Sequence, residues 1–115
     1  MICEKAGIQN QTIFQDYRCT LKASISYFGR LYIGEEHLIF VSSMFGIVKK
    51  VALPIDSISH LSELQPQTIL LTGRPQDKSL DEEFTFTSVN NHAYRLIRAL
   101  WKREQLEADM MTNHE

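Results

Sequence analysis

A chain of 115 residues, 43% hydrophobic and 23% charged, has apolar side chains for one core and too little length for two. A net charge of −2 excludes a wholesale polyanion binder, and no apolar run approaches the ~20 residues of a bilayer-spanning helix. Cys3 and Cys19 have neither metal-ligand nor disulfide-framework spacing, and the first residues lack a signal-peptide core, so a reduced, intracellular, soluble domain without metal or cofactor is expected.

Residues 1–13 are polar and aperiodic and read as a flexible arm. From Arg18 to Ile25, small or apolar Cys19, Leu21, Ala23 and Ile25 alternate with polar residues, the pattern of a half-buried strand. Gly29 reads as a break, and 29–34 as a second strand with Leu31 and Ile33 on one face. Glu35 and Glu36 make a short turn. The run from His37 to Ser42 is apolar on both faces, as a central strand requires. Residues 43–46 connect it to a further strand from Ile47 to Leu53, stopped by Pro54, which cannot donate to a ladder.

From Ile55 to Leu64 the apolar positions 55, 58, 61 and 64 have a spacing near that of a helix. Poor helix formers and neighbouring strands favour a bent strand instead. Residues 67–72 and 83–87 read as two more strands around a polar loop, 73–82. Asn90 or Asn91 then caps a helix in which Ala93, Tyr94, Leu96, Ile97, Leu100 and Trp101 share one arc and Arg95, Arg98 and Lys102 the other. Glu104 would fall inside the apolar arc, so burial should end near Trp101. About seven strands and one amphipathic helix predict an antiparallel sandwich or barrel closed by the helix.

The segments Gly29-Arg-Leu-Tyr-Ile-Gly34, His37-Leu-Ile-Phe-Val-Ser-Ser-Met-Phe-Gly46, Val51-Ala-Leu-Pro-Ile-Asp-Ser-Ile58, Phe84-Thr-Phe-Thr-Ser88 and Ala93-Tyr-Arg-Leu-Ile97, in this order, resemble the GRAM domain. The resemblance covers residues 14–103, leaving the arm 1–13 and a helix end and tail, 104–115. It implies a pleckstrin-homology-like fold, mainly β with one α-helix: a seven-stranded antiparallel β-sandwich or barrel capped by a C-terminal amphipathic helix. It also implies a non-catalytic, cytoplasmic, peripherally membrane-associated module. Such a module recruits a larger protein by binding anionic lipid, either a phosphoinositide or phosphatidylserine, or by binding a protein partner.

Charge is segregated along the chain. Residues 17–50 carry Arg18, Lys22, Arg30, Lys49 and Lys50 against Glu35 and Glu36, and residues 90–103 carry Arg95, Arg98, Lys102 and Arg103 with no acid. The lipid-binding pattern of pleckstrin-homology relatives would use Lys22 and Arg30 around the first loop, but Tyr32 stands where another base is wanted. The segment 42–50 offers more: a Met44-Phe45 tip with Lys49 and Lys50 nearby, and a second aromatic tip, Tyr27-Phe28, beside it. At ~1 kcal/mol per base near an anionic leaflet and ~2 kcal/mol for Phe45, the contact totals about 5 kcal/mol, millimolar in scale. The competing reading buries Phe45 or Phe28 in the core and leaves the lysines solvated. The ridge Arg95, Arg98 and Lys102 is either a partner surface or a solvated helix face. His37, His60, His92 and His114 are scattered, Glu82 and Glu83 point to opposite strand faces, and no hydrolase, metalloprotease or phosphate-loop motif occurs, so catalysis is not indicated. Tyr17, Tyr27 and Tyr32 form no RNA-binding strand motif, so no nucleic acid is expected.

Overall fold

A computed structural model of the chain describes residues 11–112. Most of the arm, Cys3 included, and His114 lie outside the described residues. Seven strands are followed by one helix: β1 Ile13–Lys22, β2 Ser26–Gly34, β3 His37–Met44, β4 Ile47–Pro54, β5 His60–Gln65, β6 Thr68–Gly73, β7 Glu82–Thr87 and α1 Asn91–Thr112. All pairings are antiparallel, in the order β4-β3-β2-β1-β7-β6-β5. Only Thr20, Leu21 and Lys22 of β1 pair with β7. The two halves of the sheet thus meet at one corner and turn their apolar faces toward each other.

Between those faces Leu31, Ile33, Leu38, Phe40 and Leu53 pack with Ile69, Leu71, Phe84 and Phe86 in one cluster. The Phe40 and Phe86 rings lie 5.7 Å apart in a tilted arrangement, the geometry that aromatic quadrupoles favour. Leu38, Ile39 and Phe40 are all buried, as the two-sided apolar reading of β3 requires. On α1, Ala93, Ile97 and Leu100 are buried, whereas residues 105–110 are exposed. Trp101 anchors α1 by donating its indole N–H to the Ile58 carbonyl at 2.8 Å. Asn90 is the cap, its side-chain oxygen accepting the His92 N–H at 2.8 Å.

Three local expectations are corrected. First, β1 runs from Ile13 to Lys22, not from Arg18 to Ile25. A register irregularity between Ile13 and Gln15 breaks the alternation, so the first half of the strand shows no period. Second, Gly29 lies inside β2 opposite Cys19 and does not break it. A β-carbon there would overlap the Val41 carbonyl and crowd the Phe40 ring, so the missing side chain lets β3 approach. Third, the 55–64 segment is neither one helix nor one bent strand. Ile55–Ser57 form a 3-10 turn after Pro54, closed by the Ser57 hydroxyl donating to the Pro54 carbonyl at 2.7 Å, and β5 starts only at His60.

His37 is a structural histidine. The Gln11 side-chain amide is 2.9 Å from its Nδ1, and its Nε2 is 3.1 Å from the Gln76 side-chain oxygen. With Gln11 donating to Nδ1, the ring carries its proton on Nε2 and donates to Gln76. The Gln11 oxygen accepts the backbone N–H of both Glu36 and His37, tying the start of β1 to the β2–β3 turn. Burial pushes the Cys19 thiol up to about 12, which leaves it a small apolar core residue rather than a nucleophile.

Candidate functional site

β3 and β4 are joined by a two-residue turn, Phe45-Gly46, with Met44 opposite Ile47. Both turn residues have positive φ, 52° and 78°. Asn-Gly suits such a turn; a phenylalanine at its first position is strained by about 1 kcal/mol. Phe45 gains nothing in exchange from the core, since it is 95% exposed. Neither local conformation nor packing accounts for an aromatic ring at this position.

The β1–β2 loop lies beside this turn. The main chain of Phe28 is held by β3 side chains: its N–H donates to the Met44 sulfur at 3.2 Å, and its carbonyl accepts the Ser42 hydroxyl at 2.6 Å. Side chains thereby continue the β2–β3 ladder past its last backbone partners, Arg30 and Val41. The result is a rim on which Ile25, Phe28, Phe45, Ile47 and Val48 are all exposed by more than half. The reading that buries Phe45 or Phe28 is not what the structure shows. Met44 is partly buried and acts as the strut between the two loops rather than as part of the exposed tip.

The basic residues divide into three places. Lys22 and Lys49 line a cleft of about 340 Å³ beside the rim, but Glu82 and Glu83 line it too. Lys49 lies over the Tyr27 ring, 5.6 Å from its centre, and Tyr27 packs against the core. Lys22 donates to the Ser26 hydroxyl at 3.3 Å. Lys50, next to Lys49 in a strand, faces the opposite side of the sheet, opposite Val41. Arg30 is on that outer face as well, half-buried in an ion pair with Asp16. Arg95, Arg98 and Lys102 are exposed on α1, remote in sequence from the rim, and the first two border a cleft with Glu63.

The GRAM domain model matches residues 7–106. The chain belongs to the GRAM domain family. Among relatives, it is 32% identical over 92 residues to an uncharacterised membrane protein of Schizosaccharomyces pombe, 78% of this chain and 12% of that protein. It is 29% identical over 101 residues to cyclic GMP-binding protein C of Dictyostelium discoideum, 86% of this chain and 4% of that protein. It is 24% identical over 115 residues to the membrane-anchored lipid-binding protein LAM5 of Saccharomyces cerevisiae, 96% of this chain and 16% of that protein. The chain therefore spans under a fifth of each of these relatives. Among solved structures, the C-terminal domain of an unknown protein from Leishmania infantum shares the fold, with a TM-score of 0.59 and 17% identity over 85% of this chain and 88% of that one.

In this GRAM domain, Ile25, Ile47 and Val48 are the rim residues that the sequence reading passed over. The signal was present in Ile47-Val48. Consecutive strand residues face opposite ways, so two adjacent large apolar side chains at a strand end cannot both enter one core. No helix among the described residues is long and apolar enough to cross a membrane.

The far end of α1 carries a different electrostatic feature. The Glu104 carboxyl is held above its ordinary range, first by partial burial and then by the charges of Glu107, Asp56 and Glu36, with Arg103 opposing them. A carboxyl with a raised folded-state pKa favours the fold while protonated. That contribution is present below the ordinary glutamate range and is lost as pH rises through the raised value. Glu104→Gln is therefore expected to raise the thermal midpoint at neutral pH. The gain over the parent should vanish in acid, which paired melts at the two pH values will show.

Proposed function

We propose that this GRAM domain is a non-catalytic membrane-docking module that seats its exposed rim in the headgroup region of an anionic bilayer. The observation that carries the reading is Phe45, a strained and almost fully exposed aromatic residue at the β3–β4 turn. Phe28, Phe45 and Ile47 together offer about 6 kcal/mol at full insertion, before the cost of ordering and immobilisation. Lys22 and Lys49 flank them and favour a phosphatidylserine- or phosphoinositide-bearing leaflet by ~1 kcal/mol each at most. Glu82 and Glu83 in the same cleft oppose a tightly held phosphate headgroup. The names of the yeast relatives, one a membrane protein and one a membrane-anchored lipid-binding protein, are in keeping with this reading. Because such a contact is weak, the module would recruit a larger protein or partner only together with a second anchor.

The test is sedimentation with vesicles of zwitterionic lipid, of added phosphatidylserine and of added phosphoinositide, at low and high salt. Binding should be strongest to the anionic vesicles and should fall only partly with salt, because screening removes the lysine contribution and spares the apolar one. Absence of binding to every composition would count against the module.

A further inference from the structure

The two edges of the sheet are treated differently. At the β4 edge the Gln76 N–H donates to the Ala52 carbonyl at 2.7 Å, so the β6–β7 connection satisfies that edge at Ala52. At the β5 edge, among the described residues, the backbone of His60–Gln65 pairs with β6 on one side and with no other strand. Such an edge presents a row of donors and acceptors that a further strand would satisfy. Alongside it runs the first half of α1, leaving a cleft of about 330 Å³ between Glu63 and Pro66 on one wall and Asn91, Tyr94, Arg95 and Arg98 on the other. Arg95 and Arg98 are one helical turn apart, exposed, and take part in no ion pair among the described residues. Leu64, at the lower end of the edge, is 59% exposed.

We infer that the β5 edge and the basic ridge of α1 form one docking groove, and that its occupant is an extended acidic segment of a partner protein. The segment's backbone adds an antiparallel strand to β5. Because alternate residues of a strand face opposite ways, its acidic side chains can all be turned toward Arg95 and Arg98, where guanidinium groups accept carboxylates in bidentate fashion. Its other side chains then lie away from the helix. Glu63 lines the same cleft and opposes an acid placed directly against it, which confines the acidic side chains to the arginine wall. The irregularity between Glu63 and Gln65 ends the regular edge, confining the added strand to His60–Glu63. Lys102 is outside the cleft and contributes only long-range attraction. The groove is independent of the rim proposed to contact lipid.

The experiment titrates the isotope-labelled chain with a blocked peptide of alternating glutamate and valine, with the lysine–valine peptide and anionic vesicles in parallel. With millimolar acidic peptide, outward-facing amides of His60–Glu63 should gain exchange protection, and the amides of Tyr94–Arg98 should shift. Arg95→Gln with Arg98→Gln should weaken that binding about tenfold or more at an unchanged thermal midpoint. The inference is overturned by shifts on α1 without protection on β5, by equal binding of the lysine peptide, by no binding of the acidic peptide, or by vesicles perturbing these same residues in its place.

Discussion

Phe45→Asn combined with Ile47→Thr is expected to weaken binding to anionic vesicles by about thirtyfold or more while leaving the thermal midpoint unchanged or a few degrees higher. The two effects have opposite signs because the two residues serve different ends. Asparagine adopts the left-handed conformation of the turn more readily than phenylalanine, which relieves about 1 kcal/mol of strain. Threonine keeps the β-branch that suits Ile47 at its exposed strand position. Neither change opens a cavity, since neither side chain is in the core cluster. What is lost is insertion: even at half depth, two side chains worth ~2 kcal/mol each forfeit about 2 kcal/mol, or some thirtyfold in affinity. Met44→Ser is the wrong variant for this purpose. It removes the sulfur that accepts the Phe28 N–H and so disturbs the geometry of both loops. Vesicle sedimentation and thermal melts on the same preparations check the prediction. Unchanged binding would remove the turn from the lipid contact.

Gly29→Val is expected to destabilise the domain by about 3 kcal/mol, lowering the midpoint by roughly 15 °C. Intrinsic preference alone argues the reverse, because valine is favoured over glycine in strands by up to ~1 kcal/mol. The steric term is larger. The added β-carbon meets the Val41 carbonyl and the Ser42 α-carbon, both main-chain atoms that cannot move aside as a flexible side chain would. Displacing β3 would also break the Ser42 hydroxyl bond to the Phe28 carbonyl, so the substitution should loosen the rim along with the core. Ser43→Val, at an exposed position on β3, provides the comparison and should be neutral or mildly stabilising. A Gly29→Val midpoint at or above the parent's would contradict the close approach of β2 and β3.

The fold was legible wherever the pattern of burial repeats along a single element. The alternation of Leu31 and Ile33, the continuous apolar run of β3 and the arc of α1 each follow from one element packing on one core. The errors fall where a residue's role is set by another strand. Gly29 reads as a breaker until β3 is placed beside it, and residues 13–17 lie outside the first predicted strand, Ile13 as the end of the arm, until β2 pairs with them. The 55–64 segment mixed two periods because it contains a 3-10 turn and a strand in succession.

The candidate site was legible in part for the same reason. Phe28 and Phe45 stood out as aromatics next to turns, but only the neighbouring loop decides that they are exposed. Charge counting placed Lys22, Arg30, Lys49 and Lys50 in one group. The structure separates them, with Lys49 over Tyr27, Arg30 on Asp16 and Lys50 on the other face. Glu82 and Glu83 come to the same cleft from a distant part of the chain, and no local pattern could announce them.

Entry of the β3–β4 turn into the bilayer is measured directly by the emission of a tryptophan placed there. Trp101 is the only native tryptophan and is held against Ile58 within the domain, so the parent chain supplies the baseline. Bound to anionic vesicles, Phe45→Trp should show blue-shifted emission that brominated acyl chains quench, while the parent emission is unmoved by either. Emission and quenching identical to the parent's, on vesicles to which the variant demonstrably sediments, would contradict insertion of the turn.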